Sequence, residues 1–320
     1  MARVGFVSSP YSIYFEVLPS AVEATSPPIL MIHGGTQSGA CYRLTPDGRE
    51  GWADRFARLG FTCYVADWPG VGRSGYVPVE QLDYSFAVEG FKRLVDVIGV
   101  PVIVMTHSMS GPIGWQLLEQ AKDSVALVVA IAPGPPGNIQ PELGPISGAS
   151  PDHGIVSEDG VFIHLRVRGA DLRVDLRSMF SDSEDYIVKG AIGASTRFPA
   201  SGEWRPSMMS YPPKMLLERL NWRGRAPRLT PNADLTGAKA LIVTGTADTN
   251  HRRDDDEAIA HFLRGLGADA QFLYLGDIGI EGNGHMLMSE DNSYEIAELV
   301  AERILKMIRP GNPDDRVEGV

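Results

Sequence analysis

Short apolar runs alternate with stretches of helical periodicity along most of this 320-residue chain, and that alternation restricts the fold more than any other feature. The runs include "PPILMIHGG" (27–35), "FTCYVADWPG" (61–70), "PVIVMTHS" (101–108), "SVALVVAIAPG" (124–134), "AKALIVTGTAD" (238–248) and "AQFLYLGD" (270–277). Between them lie helical patterns at 51–60, 79–99, 109–121 and 254–267, and a last one whose Ile296, Leu299, Val300, Ile304 and Met307 share a face. Strands and helices in strict turn predict a mostly parallel sheet with helices on both faces. "RVGFVSS" and "YSIYFEVL" predict an antiparallel pair that opens it, and Asn292 with Glu295 a capping box on the last helix.

The rhythm stops between about Gly134 and Thr236, in a stretch rich in Pro, Gly and Ser. A structureless loop of that length does not belong in a compact domain, so an inserted cap is expected over 134–236, with the core formed by 1–133 and 237–320. Within the cap, "VSEDGVFIHLRV" (156–167) reads as a hairpin, "PPKMLLERLN" (212–221) as a helix and "NWRGRAPR" (221–228) as a solvated loop. The last ten residues or so read as disordered.

The net charge of −11 argues against nucleic acid, which demands concentrated Lys and Arg. No apolar run approaches the length of a membrane span, and the first residues show no secretion signal. The two cysteines, Cys41 and Cys63, have neither metal-site nor redox spacing, so a cytoplasmic chain is expected. "GVGRSG" (70–75) matches G-x-G-x-x-G after a strand, but Pro78 precedes the next helix and no acidic residue ends a second strand about 20 residues later. A tight glycine loop is the better reading, and no cofactor is expected. "HRRDDDE" (251–257) lacks the alternate spacing of a calcium loop, and acids at a helix start suit its dipole, so no metal is expected either.

"VIVMTHSMSGP" (102–112) has the strand, turn and helix of a nucleophile elbow. Ser108 suits the nucleophile better than Ser110, because Ser110 would lie one step inside the helix. Thr106 and Ser110 stand where glycines are usual, so the strand end needs room for the Thr106 methyl group. A serine nucleophile requires a base and a group to orient it. His285, in "GNGHM", and Asp248, just past a strand end in "GTAD", lie where sheet edges converge, although Asp248 is also a turn-forming residue type. "HGG" (33–35) can offer backbone N–H groups to a developing oxyanion; Gly35 and Met109 are the expected donors, with Thr36 the substitute if the loop is shifted. His33 is expected to fix that loop. His107 points away from its neighbour Ser108, and His153, His164, His251 and His261 show no partner pattern.

With "HGG", "DWPGVGRSG", "THSMSG", "GTAD" and "GNGHM" in this order, the chain resembles the α/β-hydrolase superfamily. More narrowly, the 33–56 stretch with its "TPDG…GW" loop resembles a subgroup of bacterial serine esterases in which dimers are known. That subgroup can take its acid from an E-P-G sequence; here Ala132-Pro133-Gly134 stands there, so the acid falls to Asp248. The resemblance implies hydrolysis of a small-molecule ester or lactone through an acyl-enzyme on Ser108, with a homodimer as its assembly. Amide or C–C bond hydrolysis and a non-catalytic binding protein of the same fold are the alternatives; aspartate-based dehalogenase or epoxide chemistry is disfavoured by the serine. The cap and the 36–50 loop should shape the pocket, with Trp68, Met109, Trp204, Met208, Met209, Met286 and Met288 as apolar lining.

Overall fold

A computed structural model describes residues 2–24, 26–180, 197 and 208–309. Trp204 and the C-terminal segment expected to be disordered lie outside these residues. An eight-stranded sheet is built from β1 (Arg3–Phe6), β2 (Tyr14–Leu18), β3 (Ile29–Ile32), β4 (Cys63–Ala66), β5 (Val102–His107), β6 (Val125–Ile131), β10 (Lys239–Thr244) and β11 (Asp269–Tyr274). Their order is β1-β2-β4-β3-β5-β6-β10-β11; β2 pairs antiparallel with both neighbours, and every later pairing is parallel.

The apolar runs follow from burial of both faces. Along β3, Ile29 and Met31 enter one core cluster while Leu30 and Ile32 enter the other. β5 and β6 divide likewise: Ile103, Met105, Leu127 and Val129 lie on one side, Val104, Val128 and Ala130 on the opposite side. Helices α1 (Trp52–Arg58) and α6 (Ser293–Ile308) cover the first face. Helices α2 (Tyr84–Ile98), α3 (Gly111–Gln120) and α5 (Arg253–Gly265) cover the second.

Two helix starts differ from the sequence expectation. Residues 79–81 form only a 3-10 turn, and α2 begins after Asp83, whose carboxylate accepts the Phe86 N–H at 3.0 Å. The capping box does not form on α6. Asn292 instead accepts a hydrogen bond from the Asn283 side chain at 2.6 Å, which ties the start of α6 to the loop that carries His285.

Within 134–236 the expected hairpin is β7 (Gly154–Glu158) and β8 (Phe162–Val167), and it gains a third strand, β9 (Ala170–Asp175). The helix is α4 (Pro213–Arg219). Ile163, Leu165, Val174, Met215 and Leu217 belong to the same cluster as the α2–α3 face of the main sheet. "NWRGRAPR" is a loop whose Arg223, Arg225 and Arg228 are exposed as expected, but Asn221, Trp222 and Ala226 within it are buried. Asn221 is fully buried; its amide donates to the Gln140 carbonyl at 2.7 Å and accepts from the Ala226 N–H at 3.1 Å.

Candidate active site

β5 ends at His107 and the chain turns sharply into a 3-10 turn over Ser108–Ser110 before α3 begins. Ser108 sits at φ 51°, in the left-handed region that a side chain avoids at a cost of about 1–3 kcal/mol. Neighbouring backbone holds it there: the Gly134 N–H donates to the Ser108 carbonyl at 2.7 Å, and the Tyr84 hydroxyl donates to the Met109 carbonyl at 2.5 Å. The room needed by Thr106 comes from Gly114, one turn into α3, where a Cβ would lie 3.1 Å from the Thr106 methyl carbon.

Ser108, His285 and Asp248 form one hydrogen-bonded chain. Asp248 Oδ2 is 2.8 Å from His285 Nδ1, and His285 Nε2 is 2.8 Å from Ser108 Oγ. A carboxylate only accepts, so Nδ1 carries the proton and Nε2 is left to accept from the serine hydroxyl. Burial opposes the charge on Asp248. The His285 imidazole, its hydrogen bond, His251 and the Asn250 N–H outweigh burial and hold the carboxyl well below the usual range.

Ser110 is spent elsewhere. Fully buried, it donates to the His33 carbonyl and accepts from Trp68 Nε1 at 2.9 Å. His33 stacks on Trp68, accepts the Trp68 N–H at 3.0 Å through Nε2 and donates from Nδ1 to the Gly34 carbonyl. Burial lowers its proton affinity, against the pull of Asp67, so the ring is a neutral strut.

The "HGG" loop lies against the elbow. A Cβ on Gly34 would meet His107 Nδ1 at 2.6 Å and Ser108 Cβ at 3.0 Å, so only glycine allows this approach. Gly35 and Met109 are in turn adjacent, a Gly35 Cβ falling 2.3 Å from Met109 Sδ. Among the described residues the Gly35 N–H has no hydrogen-bond partner. Thr36 occupies φ 61°, and its carbonyl accepts the Met209 N–H at 2.8 Å.

The glycine loop at 70–75 serves this region. Asp67, its side chain fully buried, accepts from the Gly39 N–H at 2.6 Å and from both the backbone and the guanidinium of Arg73. Gly72, at φ 58°, leaves space for that carboxylate. The motif is therefore a brace between the strand end and the loop that follows Gly35.

Two histidines that the sequence left unassigned flank His285. His107 donates from Nε2 to the His285 carbonyl at 3.0 Å; burial, with His285 beside it, pushes its proton affinity well down and keeps it neutral. His251 stacks on the His285 ring with 5.0 Å between centroids and 16° between planes. Its Nδ1 is 3.1 Å from the buried Asp256, which also accepts from the Thr244 hydroxyl, and its backbone N–H donates to Asp248 at 3.0 Å. The readable signal was spacing: Asp248, His251 and Asp256 are three and five residues apart around a helix start.

The 36–50 loop contributes Gln37 to the pocket wall, but its far end is a buttress. Arg49 donates to the carbonyls of Glu290 and Asp291, behind the His285 loop. Ser108 and His285 open onto a cavity of about 240 Å³. Of the apolar residues expected in it, Met109 and Met286 line it, whereas Trp68 and Met288 are core residues.

A model described as the alpha/beta hydrolase family matches residues 29–299. A protein named "Probable secreted lipase phiG", from Fungal sp. (strain ATCC 74256), is 26% identical over 92% of this chain and 86% of its own. Among solved structures, a bacterial esterase shares 16% identity at a TM-score of 0.57, covering 97% of this chain and 94% of its own. A thermophilic esterase from Thermogutta terrifontis shares 14% at 0.57, over 96% and 98%. A laboratory-evolved variant of potato epoxide hydrolase shares 15% at 0.62, over 96% and 99%.

Proposed function

This chain belongs to the alpha/beta hydrolase family, and we propose that it hydrolyses a carboxylic ester or lactone through an acyl-enzyme on Ser108. The observation that carries the reading is the Ser108–His285–Asp248 chain, with both links at 2.8 Å, at the wall of an open cavity. As Ser108 Oγ attacks the carbonyl carbon, its proton passes to His285 Nε2. Asp248 holds the ring in the tautomer that can take it and stabilises the imidazolium that results. The oxyanion that forms is met by the N–H groups of Gly35 and Met109. His285 then delivers the proton to the leaving alkoxide, and the acyl group stays on Ser108. Water, deprotonated by the same ring, cleaves that ester and restores the serine.

The names of the fungal lipase and the bacterial esterases support an ester as substrate. The cytoplasm remains the proposed compartment, supported by Cys41 and Cys63, both buried and unbonded. The test is turnover of p-nitrophenyl esters from acetate to octanoate by the wild type, Ser108→Ala and Ser110→Ala. Loss in Ser108→Ala with retention of substantial activity in Ser110→Ala is expected. Equal activity in Ser108→Ala and the wild type would overturn the assignment.

A further inference from the structure

Buried polar side-chain atoms almost always find a partner, and the exceptions gather where a ligand or water belongs. Among the described residues six buried side-chain polar atoms have none: Gln37 Nε2, Arg55 Nε, Thr106 Oγ1, His107 Nδ1, Gln140 Oε1 and Trp222 Nε1. Three of them, on Gln37, His107 and Gln140, belong to residues lining the one cavity onto which Ser108 opens. Gln37, only 3% exposed, stands two residues past Gly35 on the loop beside the elbow. The Gln140 amide is oriented by its own contacts: Nε2 donates to the Arg219 carbonyl at 2.8 Å, so Oε1 is the atom left over. His107 donates from Nε2 to His285, so its Nδ1 is an acceptor.

The unmatched set is therefore one donor and two acceptors. An aliphatic ester, with no donor of its own, leaves both acceptors unsatisfied. An ammonium group is disfavoured as the missing donor, because Arg168 and Arg219 line the same cavity and, among the described residues, no Asp or Glu does. A hydroxyl has one hydrogen to donate and lone pairs to accept with, so without charge it can meet the Gln37 donor and one acceptor. His107 Nδ1 is packed against Gly34, which leaves Gln140 Oε1 as that acceptor. Resting on the ester-hydrolase reading above, we propose that the substrate carries a hydroxyl group apart from the scissile ester, and that Gln37 and Gln140 select for it.

The experiment compares kcat/KM within two matched pairs. The acyl side is probed with p-nitrophenyl butyrate and p-nitrophenyl 3-hydroxybutyrate, the alcohol side with ethyl butyrate and 2-hydroxyethyl butyrate. Each pair is run on the wild type, Gln37→Leu and Gln140→Leu. The readout is the ratio of two rates from one preparation, so a fraction of misfolded protein cancels. A site that pairs with a hydroxyl rejects the analogue without it by about tenfold or more. The wild type is expected to show that preference in at least one pair, and each substitution to reduce it at least about fivefold. A wild-type ratio within about twofold of one in both pairs would overturn the inference, as would a preference that both variants retain. A preference that survives in one variant removes that residue from the assignment. Absence of turnover on every ester, with no phosphonate adduct on Ser108, would instead overturn the proposed function and this inference with it.

Discussion

Two glycines in the same helix, three residues apart, should respond differently to the same substitution. Alanine favours an α-helix over glycine by about 1 kcal/mol, so propensity alone stabilises both Gly111→Ala and Gly114→Ala. The surroundings differ. A Cβ at Gly111 would lie 2.4 Å from the Gly134 carbonyl oxygen and 2.6 Å from its nitrogen, both backbone atoms. That nitrogen donates the 2.7 Å hydrogen bond to the Ser108 carbonyl. To escape, the 132–134 segment must move by most of an ångström, and overpacking of this kind costs about 1–3 kcal/mol before the propensity gain is subtracted. Displacement of the elbow should cost more in rate than in stability, since misplacing a reacting group by about 1 Å can cost about 100-fold. At Gly114 the nearest atoms are side-chain methyl carbons of Thr106 and Val128, at 3.1 and 3.2 Å, which can shift by a few tenths of an ångström. Gly114→Ala is therefore expected within about 1 kcal/mol of the wild type, and Thr106→Ser, which removes the crowding methyl, should improve it further. Urea unfolding and kcat on p-nitrophenyl butyrate measure both consequences. Gly111→Ala with wild-type unfolding midpoint and wild-type kcat would refute the packing argument.

Other consequences follow from charge. Asp248→Asn keeps the shape but presents an amide to His285 Nδ1, which favours the wrong tautomer; kcat on p-nitrophenyl butyrate should fall about 10³–10⁴-fold, and because the carboxylate is favoured on folding the melting temperature should fall as well. Glu218 is held at the N-terminus of α2, where it accepts the Tyr84 N–H at 2.9 Å, and burial, with the nearby Asp83 charge, pushes its carboxyl up to about 7 from an ordinary 4.5. Its protonated form is favoured on folding, so its contribution is fully present below pH 4.5 and is lost as pH rises through about 7. Each tenfold in proton affinity is about 1.4 kcal/mol, so Glu218→Gln should stabilise by up to about 3 kcal/mol at pH 8 and by almost nothing at pH 4, read from melting curves at both. Arg73→Ala strands the fully buried Asp67 carboxylate and should destabilise by about 2–3 kcal/mol in urea unfolding, while slowing turnover through the loop that holds Gly35. Burial opposes the Asp67 charge, yet the hydrogen bonds from Arg73 and the Gly39 N–H keep that carboxyl below its usual range, so the loss should shrink as pH falls through the acid range.

The main sheet was legible because burial on both faces writes uninterrupted apolar strands, and the order of the candidate site residues along the chain is set by where those strands end. Ser108, Asp248 and His285 could be read because each follows a strand at one edge of that sheet. What escaped was set by contacts distant in sequence. The spacing of Asp248, His251 and Asp256 hints at a local cluster but not at the stacking of His251 on His285, 34 positions away by number, and nothing near Gln37 reveals an amide left without a partner. Asn292 looked like a helix cap because local spacing is all a sequence displays; in the fold a side chain from the His285 loop claims it. The arginines of "NWRGRAPR" are solvated as their charge implies, but Asn221 finds backbone partners at Gln140 and Ala226, contacts that no local pattern displays, and these decide its burial.

The central claim is that Ser108 is the group that takes the acyl chain. The most direct measurement is peptide mass spectrometry after reaction with diethyl p-nitrophenyl phosphate, alongside loss of ester turnover. The expected result is one diethylphosphoryl adduct on the peptide containing Ser108, assigned to Ser108 by fragmentation, absent from Ser108→Ala and slowed sharply in His285→Ala. An adduct on Ser110, or full inhibition with Ser108 unmodified, would contradict it.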